Sequence, residues 1–140
     1  MPLRTFEDLE VWKRSCRLAV DVCVETDGWK DYALRDQVRR SAISIASNVA
    51  EGAERDSDGD FVRFLRISKG SCGELRTQIY IAQRIHERLG NPLAKSLISL
   101  IAETKEISAY VTGPDTVNKA TRNYKKTLNH PSAFPLKTEN

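Results

Sequence analysis

Long apolar runs are missing from this sequence, and so are most residues that usually carry chemistry. No stretch approaches the roughly 20 consecutive apolar residues that a membrane-crossing helix needs. The opening MPLRTFEDLE is polar and acidic, so no secretory signal is expected and the chain reads as cytoplasmic. Histidine occurs only at His86 and His130, methionine once and cysteine three times. Cys16, Cys23 and Cys72 form no C-x-x-C element. Cys16 and Cys23 stand seven apart, about 10 Å along one helix, too far for a disulfide. All three read as small, buried, reduced side chains.

Each scarcity removes a class of function. A di-iron bundle needs Glu-x-x-His pairs projecting inward, but Gln83 stands three residues before His86. His86 is therefore expected at the edge of a core rather than on a metal. Asp56-Ser57-Asp58-Gly59-Asp60 resembles the start of a calcium loop, yet Phe61 replaces the required glycine and Ile67 the closing glutamate. This run is expected to be a capped turn. Gly70-Ser71-Cys72-Gly73 departs from G-x-S-x-G, and no strand precedes it. No phosphate-binding loop is present. The expectation is a non-enzymatic protein with no cofactor, metal or small-molecule substrate.

A basic body is lacking too. Residues 1–113 hold 17 of the 22 Lys and Arg and 17 of the 19 Asp and Glu, a balance of zero. The net charge of +3 comes entirely from residues 114–140, with five basic and two acidic residues. A neutral body is poor evidence for an electrostatic nucleic-acid footprint; the candidate contacts are Lys119, Arg122, Tyr124, Lys125 and Lys126 in that tail, together with exposed arginines.

What remains is helical periodicity with clear punctuation. Thr5 and Asp8 form a capping-box pair ahead of a first helix, in which Leu9, Trp12, Cys16, Ala19 and Cys23 recur at three and four residues until Asp27-Gly28. A second helix is expected from about Tyr32 to Glu54, with Leu34, Val38, Ala42, Ile45 and Val49 on its apolar seam. Ser57 and Asp60 open a third, whose seam is Leu65, Ser68, Cys72, Leu75, Ile79, Ala82 and His86, closed by Gly90. Asn91 is expected to cap the fourth, with Pro92 in its first turn and Leu93, Leu97, Leu100, Ile101, Thr104, Ile107 and Val111 along it to Gly113-Pro114. Short connections favour antiparallel neighbours. The sequence predicts an all-α, up-down-up-down four-helix bundle over residues 1–113 and a mobile basic tail over 114–140.

The second helix carries a further line. Gln37, Ser41, Ser44, Asn48, Glu51 and Arg55 follow one another at four and three residues, beside the apolar seam. Folding the chain back about Ser57 brings Gln37 toward Gln78, Arg40 or Ser41 toward Glu74, Ser44 toward Ser71 and Glu51 toward Arg63. A solvated face usually carries Lys and Glu, whereas this one carries Ser, Ala, Gly and Asn, which let backbones approach closely. The line is either a solvated helix face or a surface covered by another subunit.

The run from Gln37 to Gly52, QVRRSAISIASNVAEG, precedes Asp60-Phe61-Val62-Arg63-Phe64-Leu65 and Gly70-Ser71-Cys72-Gly73-Glu74-Leu75. With Phe6-Glu7-Asp8-Leu9-Glu10-Val11-Trp12, these segments resemble the four-helix-bundle family named after proteins encoded in intervening sequences of bacterial 23S ribosomal RNA. The resemblance covers about residues 6–111. Ala46 stands where proline is common and Gly73 where alanine is usual. The resemblance implies an up-down bundle that assembles as a ring, typically a homopentamer, without established enzymatic activity. Related bundles serve as accessory factors to retroelement reverse transcriptases, holding enzyme and RNA on a basic pentamer. On this reading the line Gln37, Arg40, Ser41, Ser44, Asn48, Glu51, Gly52, Arg55, Arg63, Ser71, Glu74 and Gln78 is an oligomer interface. Asn48 and Glu51 specify it, and Gly52 eases the helix exit. The alternative is an RNA-binding accessory protein that uses its tail and exposed arginines.

Overall fold

Capping side chains, apolar seams and one left-handed glycine set the limits of the helices. The computed structural model describes residues 5–113. A single 3₁₀ turn, Phe6–Asp8, precedes α1 (Glu10–Glu25), α2 (Tyr32–Ala53), α3 (Asp58–Arg88) and α4 (Lys95–Thr112). No strand occurs among the described residues, and none of these helices is long and apolar enough to cross a membrane. The four form a bundle in which α1 and α3 each pack against both α2 and α4.

Side chains cap α2 and α3, and of these two caps the one at Ser57 is the one expected from the sequence. The Asp31 carboxylate accepts from the Leu34 N–H at 3.1 Å to start α2, and the Ser57 hydroxyl accepts from the Asp60 N–H at 3.1 Å to start α3. The Thr5–Asp8 pair also forms, with the Thr5 N–H donating to the Asp8 carboxylate at 3.2 Å. It caps the 3₁₀ turn, however, and α1 begins after Leu9.

The start of the fourth helix differs from expectation. Asn91 belongs to the end of α3: its N–H donates back to the His86 carbonyl at 2.9 Å, and Gly90 N–H reaches the Glu87 carbonyl at 3.1 Å. Gly90 sits at φ 71°, which is the left-handed stop of a Schellman motif. A residue before proline is also pushed out of helical geometry. Pro92 thus lies outside α4, which starts at Lys95 with Ala94 as an uncapped N-terminal residue. Leu93 is nonetheless buried against the core.

The seams of α2, α3 and α4 are the expected ones, with Val38, Ala42, Ile45 and Val49 facing Leu65, Cys72, Leu75 and Ile79, and Leu97, Ile101 and Ile107 closing the core. On α1 the seam lies one position earlier than predicted. Val11, Ser15, Leu18 and Val22 are the buried residues, and Cys16 and Cys23 are half-buried rather than buried. Trp12 misled the reading: it packs edge-on against Phe6 at the rim, with ring centroids 5.3 Å apart. Ser15 is tolerated in the core because its hydroxyl donates to the Val11 carbonyl at 2.6 Å. His86 is half-buried at the bundle's edge beside the ring of Trp29, at 5.2 Å.

Polar ties fix how the helices sit. Arg14 on α1 reaches Glu103 with two hydrogen bonds of 3.0 Å and Glu106 with one of 2.7 Å, both on α4. Those carboxylates hold its guanidinium above its ordinary range. Arg39 on α2 donates to the Cys23 carbonyl at 2.9 Å and the Thr26 hydroxyl at 3.1 Å, supplying a cation and donors at the C-terminus of α1.

Gly52 has a different role from the one expected. It is buried within the last turn of α2, and a Cβ there would lie 2.7 Å from Phe64 Cβ, 2.9 Å from Phe61 Cδ2 and 3.2 Å from the Phe61 carbonyl oxygen. Gly52 therefore permits close approach of α2 to α3 rather than easing a helix exit. A helical Gly→Ala change ordinarily gains about 0.5–1 kcal/mol. Gly73→Ala, where nothing lies within 4 Å of the added carbon, is expected to show that gain in urea denaturation. Gly52→Ala is expected to lose about 1–3 kcal/mol instead, through overpacking.

Candidate functional site

The expected line of small polar residues on α2 does meet its counterpart on α3. The Ser44 hydroxyl donates to the Ser71 hydroxyl at 2.7 Å, and the Ser68 hydroxyl donates across the same interface to the Ile45 carbonyl at 2.7 Å. A side-chain hydroxyl reaches the backbone of the neighbouring helix only when the helices lie close, which Ala42, Ala46, Ser41 and Gly52 allow. Asn48 turns inward along its own helix, its amide donating to the Ser44 carbonyl at 2.7 Å.

Above this contact the surface opens into a cleft of about 410 Å³ lined by Gln37, Arg40, Ser41, Ser44, Glu74 and Gln78. Six of the expected residues are thus brought together. Gln78 Oε1 is out of solvent and has no hydrogen-bond partner among the described residues. A second groove of about 430 Å³ lies on the other side of Arg40 and Ser44, lined also by Asp36, Arg39, Ile43 and Ser47. Arg40 and Ser44 form a ridge between two grooves.

The Glu51–Arg63 pairing across the turn is not formed. Glu51 is paired with Arg55 one turn along its own helix at 3.0 Å, and its side chain is 53% exposed. Arg63 turns to Asp60 at 3.7 Å and lies over the Phe64 ring, 4.7 Å from its centroid. The reason is local reach: a partner one turn away on the same helix demands less side-chain ordering than one across the elbow. Arg55 also approaches the Phe64 ring, at 5.0 Å. Within the chain, Glu51 is a helix-surface residue.

Sequence reasoning missed the ends of the α3 line. Ile67 is 41% exposed, and beyond Gln78 the line continues through Ile81 (49%), Ile85 (39%) and Leu89 (76%). These residues keep the three- and four-residue spacing of Ser71, Glu74 and Gln78, a signal that lay in the sequence beside the stronger core seam. Four large aliphatic side chains on one face of one helix form a patch of the kind that marks interaction surfaces.

Reactive chemistry is sparse here. No group of three potential metal ligands occurs among the described residues. Cys72 is fully buried, and that burial pushes its thiol up to about 11, which keeps it protonated near neutrality. Burial raises the Cys16 thiol as well. The tail cations Lys119, Arg122, Lys125 and Lys126, with the boundary at residue 114, lie outside the described residues.

Fold and surface together define a four-helix bundle protein whose two longest helices join through small polar side chains. The family model for the 23S rRNA-intervening sequence protein matches residues 7–113. The chain belongs to that family. No curated protein matches it.

Two outcomes follow from this geometry. In a double-mutant cycle, Ser44→Ala and Ser71→Ala are expected to couple by about 0.5–1.5 kcal/mol, while Glu51→Ala stays within about 0.5 kcal/mol of wild type in chemical denaturation. The raised Cys72 pKa stabilises the fold fully below the thiol's ordinary pKa of 9.0. That stability is lost as pH rises from 9 toward 11, where the unfolded thiol ionises first. A decline of up to about 2 kcal/mol across this window is expected, and its absence in Cys72→Ala, measured by urea denaturation at each pH, assigns it.

Proposed function

We propose that the protein is a cytoplasmic, non-enzymatic scaffold that assembles from copies of itself through the α2–α3 face, with five copies as the favoured number. Its bundle runs up-down-up-down with antiparallel neighbours, so α2 and α3 present one continuous outer surface. The observation that carries this reading is the line Ile67, Ser71, Glu74, Gln78, Ile81, Ile85 and Leu89, which is aliphatic at both ends and polar at its centre. Fully exposed, such a line leaves four large aliphatic side chains in water. Covered by another copy, it has the apolar, small-residue character of a helix-packing surface. The two grooves beside the Arg40–Ser44 ridge suit ridge-into-groove packing. Gln78 Oε1, unsatisfied among the described residues, gains a donor when a neighbour closes the cleft. Family membership supports a bundle without assigned chemistry.

Mass in solution tests this directly. Light scattering at micromolar concentration is expected to give a multiple of the 15.8 kDa chain mass, with five copies favoured. Ile85→Glu, at a position half-open in the single chain, is expected to shift the mass toward one copy while circular dichroism stays unchanged. A wild-type monomer would overturn the reading.

A further inference from the structure

The zero balance of residues 1–113 conceals an uneven distribution. Residues 61–88 hold six basic residues (Arg63, Arg66, Lys69, Arg76, Arg84 and Arg88) against two acidic ones, Glu74 and Glu87. The remainder of 1–113 therefore has 11 basic and 15 acidic residues. Several arginines elsewhere are engaged: Arg14 and Arg17 in ion pairs on α1, Arg39 on the end of α1 and Arg55 with Glu51. On α3 the exposed Arg66, Lys69 and Arg84 make no hydrogen bond or ion pair among the described residues. Glu87, the nearest acid beyond Arg84, pairs with none of them.

Placement turns this excess into a surface. Arg66, Lys69, Gly73, Arg76, Tyr80 and Arg84 follow one another at steps of three or four, so they form one line along α3. It runs about 27 Å at the helical rise. At 3.6 residues per turn, this line, the buried seam and the Ile67–Leu89 line divide the helix circumference into rough thirds. The basic line thus stays open when the Ile67–Leu89 line is covered. Tyr80 is 44% exposed within it. Nothing lies within 4 Å of a Cβ built on Gly73, so the helix backbone is approachable there. Arg76 Nη1 is out of solvent and has no hydrogen-bond partner among the described residues.

We propose that this face of α3 binds a single-stranded nucleic acid. Arg66, Lys69, Arg76 and Arg84 contact successive phosphates, and Tyr80 stacks on a base. Cations with one interleaved aromatic ring are the elements of a strand-tracking surface. A base must be unstacked to reach Tyr80, which favours a single strand over a duplex. An anionic membrane is a poorer fit, because membrane-surface helices set aliphatic and aromatic residues beside their cations. Here the aliphatic residues lie on a different line of α3. The inference is independent of the assembly reading, since the two surfaces share no residue.

The test is fluorescence anisotropy of a labelled oligouridylate long enough to span the line, titrated with the full chain at several salt concentrations. An oligothymidylate of equal length, a duplex and anionic vesicles serve as comparison probes. Binding to both single strands is expected at about 50 mM salt, weakening as salt rises. Replacing Arg66, Lys69 and Arg84 together by alanine is expected to reduce affinity at least tenfold and to lower the salt slope by about 2, three contacts at roughly 0.7 each. Tyr80→Ala is expected to weaken binding about fivefold or more with the slope unchanged, and Tyr80→Phe to restore it. Solution mass and circular dichroism on each variant separate lost binding from lost assembly or folding, and Lys69→Glu alone serves if the triple variant misfolds. A chain that binds no oligonucleotide, or binds only vesicles, overturns the proposal. So does a chain whose affinity is abolished by alanines at Lys119, Arg122, Lys125 and Lys126 but untouched by the α3 changes.

Discussion

The close approach of α2 to α3 is the constraint on which the rest of the molecule depends. Phe61 and Phe64 fill the elbow between the two helices, and they can do so because position 52 has no side chain. One turn of small residues further, Ser68 reaches the Ile45 backbone, and Ser44 meets Ser71. Each contact removes a constraint on helix spacing and supplies a hydrogen bond in return, so the pair is set by geometry rather than by apolar area alone. Its other consequence is outward. Two helices held this close present their outer lines as one surface, and the cleft from Gln37 to Gln78 exists because short side chains leave it unfilled.

Clamps at the opposite side complete the frame. Arg14 ties α1 to two carboxylates on α4, and Arg39 satisfies carbonyl and hydroxyl groups where α1 ends. Both are arginines, whose forked, planar donors suit two acceptors at once where a lysine would serve as a point charge. The bundle thus closes as a ring of contacts from α1 through α2 and α3 to α4 and back, with the aliphatic core inside it.

Much of this was legible in the residues. The seams of α2 and α3 follow three-four spacing without interruption, and Ser44 faces Ser71 because the turn at Ser57 fixes the register of everything beyond it. Three kinds of feature were not legible. Asn91 can cap a following helix or complete a Schellman motif, and only the backbone of Gly90 decides between them. Trp12 drew the α1 seam one position off, because a large aromatic ring at the rim resembles one in the core when only spacing is read. Glu51 illustrates a third limit. Its partner depended on whether a side chain one turn away or one across the elbow was easier to order, which spacing alone leaves open.

The same contrast bears on function. A net charge is a sum over the whole surface, while binding responds to the field at one face of it. Residues 1–113 sum to zero, yet 15 of the 17 acids lie outside residues 61–88, and several of them are already paired with their own arginines. A paired cation offers little to an incoming phosphate, because the competing carboxylate must first be displaced. The cations free to act are therefore those left over after internal pairing, and on α3 Arg66, Lys69 and Arg84 fall on a line separate from both the core and the aliphatic stripe. One long helix can in this way serve three contacts without conflict: inward to the bundle, sideways to a second copy and outward to a polyanion. That division requires α3 to stay straight over its whole 31 residues. The absence of proline from the helix removes the commonest cause of a kink, which leaves the Gly70–Gly73 segment at its centre as the place where the requirement bears hardest.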